Sequence, residues 1–139
     1  MSGTTFSSFE GKERFLLETV MLTQDFVSDI LISIATMESF ELKSEFHWNR
    51  EVTKLTNDIS QFVEITTLIS KAVMQFKKHI LTEIKSSHIH LLFIIKGMNQ
   101  AQQKQDMVAL EDLIKYELKD NLTQWKIDLI PQIKRLLNT

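Results

Sequence analysis

Apolar residues recur along most of the chain at alternating steps of four and three positions. In the clearest run, nine of ten positions on one stripe are apolar. This spacing places all ten side chains on one face of an α-helix, whereas a half-buried strand would alternate apolar and polar residues. The sequence therefore predicts a helix over residues 46–84, about 58 Å long at ~1.5 Å rise per residue. Its stripe comprises Trp48, Val52, Leu55, Ile59, Phe62, Thr66, Ile69, Val73, Phe76 and Ile80.

Three further stripes predict three more helices. The first helix lies over about residues 10–40, the third begins after the cap residues Ser86 and Ser87, and the fourth begins near Asp106. The third is apolar on almost every side, which predicts burial on more than one face. The stripes are Leu16, Val20, Thr23, Val27, Ile30, Ile34 and Met37; His88, Leu91, Leu92, Ile95, Met98 and Asn99; and Met107, Leu110, Ile114, Leu118, Leu122, Trp125, Leu129, Ile133 and Leu136.

Residues that break helices are scarce. Glycine occurs only at positions 3, 11 and 97, and proline only at 131. Pro131 lies inside the fourth stripe, where it removes one backbone donor and clashes with the carbonyl four residues earlier, so we predict a kink near Ile127. Four long amphipathic helices predict an all-α, antiparallel up-down four-helix bundle. The bundle would form one domain over residues 1–139, with 1–9 as a flexible tail. A break near the β-branched pair Thr66–Thr67 would give five helices instead.

Composition excludes several classes of function. The chain has 139 residues, no cysteine and a formal net charge of −2. Thiolate chemistry is therefore absent, and the basic surplus typical of nucleic-acid binding is missing. The longest purely apolar run, residues 91–95, is far shorter than the roughly 20 residues that span a bilayer. The first eleven residues show no secretory signal. We therefore predict a cytoplasmic protein with no membrane span and no nucleic-acid partner.

Three of the four histidines fall within the stretch HILTEIKSSHIH, residues 79–90. A metal-binding or hydrolytic site would use His79, Glu83 and His88, since imidazole and carboxylate groups suit zinc. We favour a corner between two helices, because histidine is stabilised near a helix C-terminus without any ligand. The chain also lacks the Glu-x-x-His and His-x-x-x-His spacings of helical metal sites. No metal and no cofactor is predicted.

Other candidate chemistry is sparse. No glycine-rich loop is present, and no serine or threonine has a base and an orienting acid at motif spacing. Asp25 and Asp29 share a helix face and would suit a hard cation, although a solvated polar face is the favoured interpretation. Glu117 would act as a polar anchor or an acid if it were buried, and a boundary glutamate that reaches water is favoured. We therefore predict a protein that is not an enzyme.

Aromatic residues outside the stripes point to contacts between proteins. Tyr116 lies on the polar side of the fourth helix, and Phe40 and Phe46 lie in the first connection. Aromatic side chains are enriched at protein interfaces, so these three are the predicted partner-binding residues. The function predicted is an adaptor-like or chaperone-like bundle, with self-association through the long second stripe as one route. The methionines and phenylalanines would also allow a small apolar ligand between helices 1, 2 and 4.

The stretch DMVALEDLIKYELKDNLTQW, residues 106–125, resembles the C-terminal helix of small bacterial helical proteins without assigned function. The matching positions are Asp106, Leu110, Tyr116, Glu117, Leu118 and Trp125, and Lys115 departs from the pattern. More distantly, the stretch is similar to the last helix of flagellar secretion chaperones. That resemblance implies a small bacterial helical bundle that holds an aggregation-prone partner. It covers about a seventh of the chain, and it transfers no functional residue.

Overall fold

The computed structural model describes residues 2–39, 45–73 and 81–137, and the side chains within 14–37, 48–73 and 82–137. All regular structure in these ranges is helical. Helix α1 is Ser2–Ser39, α2 is Glu45–Val73, α3 is Leu81–Gln103, and α4 covers residues 107–137. Within α4, the α-helical segments Met107–Asp112, Lys119–Gln124 and Ile130–Leu137 are separated by π-helical turns at Leu113–Leu118 and Trp125–Leu129.

The four helices form the predicted antiparallel bundle. Both α1 and α3 pack against α2 and α4, so α1 and α3 occupy opposite corners. In the α3–α4 pair, Gly97 lies beside Leu113, while His90 lies beside Glu117. Because rising residue numbers in α3 face falling numbers in α4, these two helices run in opposite directions. The fold class predicted from the stripes is confirmed.

The predicted stripes of α1, α2 and α4 form the core together with one face of α3. All seven stripe residues of α1 are buried, as are seven of the eight α2 stripe residues that the structure describes. Phe62 of α2 and Trp125 of α4 meet across the centre, with ring centroids 5.5 Å apart and ring planes at 89°. This edge-to-face geometry is favourable for aromatic pairs. Helix α2 continues through Thr66, so the alternative with five helices is wrong.

Two predicted helix starts are wrong. Helix α1 begins at Ser2, so the residues 2–9 predicted as a tail are helical. Helix α3 begins at Leu81, which places Ser86 and Ser87 inside the helix and assigns residues 81–84 to α3 instead of α2. The reason lies in packing, because Ile84 is fully buried on the same face as Leu91. This burial outweighs the modest helix propensity of the two serines. The ends of the long α2 stripe, Phe76 and Ile80, lie outside the described residues.

The burial predicted for α3 on more than one side is wrong. Only one face of α3 is buried, and it includes Ser87. The opposite side remains in contact with solvent, although it carries three large apolar side chains. These residues, Ile89, Leu92 and Phe93, form what we call the α3 outer face, with exposed fractions of 61%, 53% and 72%.

The start and the bend of α4 were both predicted from local sequence. The Asp106 side chain accepts a hydrogen bond of 3.1 Å from the Ala109 backbone N–H, as expected of an N-cap residue. Helix α4 is bent, and its second π-helical turn, Trp125–Leu129, ends two residues before Pro131. Proline lacks a backbone N–H donor, and its ring would clash with the carbonyl four residues earlier. The wider π-helical turn just before Pro131 relieves both problems. The predicted bend of α4 is present, and at the predicted position near Ile127 the helix makes a π-helical turn.

One stretch of α1, Arg14–Met37, is long and apolar enough to cross a membrane by length and composition alone. The same stretch supplies the seven α1 side chains buried in the core. A core helix of a bundle can be as long and as apolar as a membrane span. The absence of a membrane span therefore stays a prediction.

Candidate functional site

Polar side chains meet inside the bundle where α2, α3 and α4 converge. Thr66, Ser87 and Asn121 are buried there, each at most 5% exposed. His88, which contacts Thr66, has its ring centroid 5.3 Å from that of Trp125. Buried polar groups destabilise a fold unless they are hydrogen-bonded, so each contact in this group matters for stability. We call the group, together with His88 and His90, the polar cluster.

The first contact of the polar cluster joins α2 to α3. The Thr66 hydroxyl donates to the Phe62 carbonyl at 2.9 Å, and its oxygen lies 2.6 Å from His88 Nε2. A hydroxyl has a single proton, and here the Thr66 hydroxyl donates it to the Phe62 carbonyl. We therefore assign the His88 tautomer that carries its proton on Nε2 and donates it to the Thr66 oxygen. Burial lowers the pKa of His88 below its ordinary value of 6.5, which favours the neutral ring.

This pKa shift predicts how stability depends on pH. Below the unfolded-state pKa of 6.5, the unfolded chain binds a proton more readily than folded His88 does. Stability is therefore fully present above that pH and falls as the pH drops below it. We expect His88→Gln, which keeps a donor for Thr66, to weaken this dependence. Urea unfolding of both proteins at about pH 7.5 and about pH 5.5 measures it. Equal losses of stability in the two proteins would contradict the assignment.

The second contact of the polar cluster joins α3 to α4. Asn121 Nδ2 donates to the Ser87 carbonyl at 3.2 Å and lies 3.3 Å from His90 Nδ1. The other ring nitrogen of His90 is 3.9 Å from Glu117 Oε2, and both of these side chains are about half exposed. Glu117 is thus the boundary glutamate that the sequence favoured. The row Asn121–His90–Glu117 leads from the core to solvent.

Besides Trp48 Nε1, three buried atoms have no hydrogen-bond partner among the described residues: Ser87 Oγ, Asn121 Oδ1 and Trp125 Nε1. In general, a buried polar atom left without a partner costs about 1–3 kcal/mol relative to a satisfied one. In a hydrolytic site, a histidine would face the nucleophile. Here His90 Nδ1 faces the Asn121 amide instead. The geometry of the polar cluster suits alignment of α3 against α4, and a serine nucleophile is not positioned by it.

The residues of the alternative metal site contact different helices. Glu83 accepts a hydrogen bond of 3.4 Å from Gln132 of α4, whereas His88 contacts Thr66 of α2. His79 lies outside the described residues. Among the residues that the structure describes, no three His, Asp or Glu side chains are grouped to hold a metal ion. His88 and His90 lie well inside α3, so the corner interpretation misplaced them.

Of the predicted partner-binding residues, Tyr116 is exposed at 58%. Phe40 lies outside the described residues, and the side chain of Phe46 is likewise outside them. Sequence reasoning missed the α3 outer face, because the apolar residues of α3 surround the helix and give no single stripe. The available signal was their number, which exceeds what one buried face of a helix in a bundle needs.

Comparison with protein-family models, with curated proteins and with solved structures gave no match for this chain. The resemblance of residues 106–125 to bacterial helical proteins and flagellar secretion chaperones therefore stays a prediction.

Proposed function

We propose that this protein is a non-enzymatic helical bundle that acts by binding another protein chain through the α3 outer face. The observation that carries the proposal is the exposure of Ile89, Leu92 and Phe93 on adjacent turns of one helix. Single exposed apolar residues are normal on protein surfaces, but contiguous large ones mark contact sites. A cytoplasmic location and an adaptor or chaperone role belong to the same proposal.

Tyr116 is a further exposed aromatic side chain, on α4. It directly precedes Glu117, which faces His90 across the α3–α4 pair. Because consecutive residues of a helix do not share a face, Tyr116 is a separate candidate contact on the outer side of α4. Lys115 Nζ lies 5.8 Å from the centroid of the Tyr116 ring, a cation–π distance. Aromatic anchors of this kind contribute most of the binding energy at protein interfaces.

The outer side of α2 supplies the contrast. Apart from Leu68, its exposed side chains are polar or charged, and they carry both signs of charge. Its apolar stripe is buried from Val52 to Val73. This buried part of the stripe faces the bundle core, while its end, Phe76 and Ile80, lies outside the described residues. The contact surface lies on α3 instead.

Site-specific photo-crosslinking tests the proposal. A benzoylphenylalanine placed at position 92 should form discrete adducts with a protein chain, whereas the same group at the exposed polar position 57 of α2 should not. Adding Phe93→Asp should lower the yield at position 92 roughly tenfold or more, as expected for an interface anchor. Far-UV circular dichroism verifies that each variant is folded. No adduct at position 92, or equal adducts at positions 92 and 57, would contradict the proposal.

A further inference from the structure

The α3 outer face has a basic border. Lys85 and Lys96 are exposed at its two ends, one turn from Ile89 and Phe93 respectively. Glu83 is directed away from this face, toward Gln132 of α4. A chain that covers the α3 outer face must therefore offer apolar side chains between acidic ones, since like charges across a contact are unfavourable.

The exposed side of α1 has this character. Beyond Arg14, all of its charged side chains up to residue 37 are acidic, namely Glu18, Asp25 and Asp29. Four large apolar side chains lie among them, each at least half exposed. The seven residues form what we call the α1 outer face: Phe15, Glu18, Met21, Leu22, Asp25, Asp29 and Ile32.

The spacing of the charges also corresponds. Lys85 and Lys96 are eleven residues apart, and so are Glu18 and Asp29. At ~1.5 Å rise per residue, both separations are about 16 Å, or roughly three helical turns. Both lysines can therefore meet both carboxylates at once, with Leu22 packed against the apolar side chains between the lysines. The outer sides of α2 and α4, by contrast, carry both signs of charge.

We infer that the partner of the α3 outer face is the α1 outer face of a second copy of this chain. The inference rests on the proposed function, and it names the partner. Because α1 and α3 occupy opposite corners of the bundle, the two faces point in roughly opposite directions. Each copy therefore uses different surfaces toward its two neighbours. Such a heterologous contact produces rows or rings and does not close as a two-fold dimer.

Charge reversal of the full-length protein, followed by analytical ultracentrifugation, tests this inference. Wild-type protein should assemble with increasing concentration, and added salt should weaken the assembly by screening its exposed charges. Lys85→Glu with Lys96→Glu should raise the dissociation constant about tenfold or more, because both faces are then acidic. Glu18→Lys with Asp29→Lys should do the same, because both faces are then basic. Mixing these two self-repelling variants should restore assembly.

The matched control is Lys54→Glu with Lys71→Glu, which makes the same change in net charge on the polar outer side of α2. It should leave the dissociation constant within about threefold of wild type. A wild-type protein that stays monomeric at about 500 µM would overturn the inference. So would charge reversals on α3 that act no more strongly than the α2 control. If position 92 then crosslinks to a different protein, the proposed function survives and only the choice of partner is wrong.

Discussion

Replacing Trp125 by alanine is expected to lower the free energy of unfolding by about 3–5 kcal/mol. The side chain is 1% exposed, and it contacts Phe62 and His88 where three helices converge. Its removal leaves a cavity that the surrounding rings cannot fill without moving α2 or α4. Relief of the unpartnered Nε1–H offsets part of the loss. A change of this size is a large fraction of the roughly 5–15 kcal/mol that stabilises a typical domain.

Trp125→Phe separates packing from hydrogen bonding in this prediction. Phenylalanine retains a ring toward Phe62 and lacks the buried N–H, so we expect a loss below about 1.5 kcal/mol. Ile127→Ala, in the same π-helical turn but 68% exposed, should change stability by less than about 0.5 kcal/mol. Urea unfolding followed by far-UV circular dichroism measures all three variants. Equal losses for Trp125→Ala and Ile127→Ala would show that Trp125 does not anchor the core.

Gly97 is expected to respond in opposite directions to small and large side chains. A Cβ at this position would lie 3.1 Å from Leu113 Cδ1, the end of a flexible side chain on α4. In Gly97→Ala, a slight shift of Leu113 suffices, and the lost backbone freedom of the unfolded chain should add about 0.5 kcal/mol of stability. In Gly97→Leu, the added atoms force α3 away from α4 and should remove about 1–3 kcal/mol.

Two comparisons test this explanation by urea unfolding. Gly11→Leu should not destabilise the protein, because nothing lies within 4 Å of a Cβ built at Gly11. Leu113→Ala should recover stability in the Gly97→Leu background, because it removes the group that the new side chain strikes. The interaction energy of such a double-mutant cycle is typically about 0.5–3 kcal/mol for residues in contact. Strictly additive effects at positions 97 and 113 would refute the steric explanation.

The fold followed from periodicity, because three stripes recur at helical spacing with few breakers. Helices α1, α2 and α4 bury most of the residues that their stripes predicted. In α3 the pattern failed, since Ile89, Leu92 and Phe93 are apolar without being buried. Periodicity identifies a buried face only when the other faces are polar. The apolar residues of α3 that the pattern could not assign to a buried face are therefore the residues that we propose bind a partner.

The π-helical turns left a signal in the sequence that a simple stripe conceals. From Leu110 to Leu122 the buried residues advance by three consecutive steps of four. In a regular α-helix each such step rotates the stripe by about 40°, so three steps would carry it roughly 120° off the core. The first π-helical turn, Leu113–Leu118, falls within this run. Because a π-helical turn contains one more residue than an α-helical turn, it cancels this rotation and keeps the buried residues directed at the core.

The polar cluster was predictable only in part. Thr66 was visible as the one polar residue on the stripe of α2. Asn121 gave no signal, because its role depends on Ser87 and His90, which are more than thirty residues away in sequence. Contacts of this range depend on how two helices align, and periodicity within one helix contains no information about that alignment.

The placement of α1 between α2 and α4 also sets the order in which the bundle can be completed during synthesis. Helix α1 leaves the ribosome before the other helices described, and one of its two packing partners is the last of them. Lys134 of α4, for example, donates to Gln24 of α1 at 3.1 Å. At about 5–20 residues per second, the roughly 100 residues between such partners take about 5–20 seconds to make. During that interval the side of α1 that later packs against α4 stays exposed along the apolar stretch Arg14–Met37. A chaperone of nascent chains would bind there.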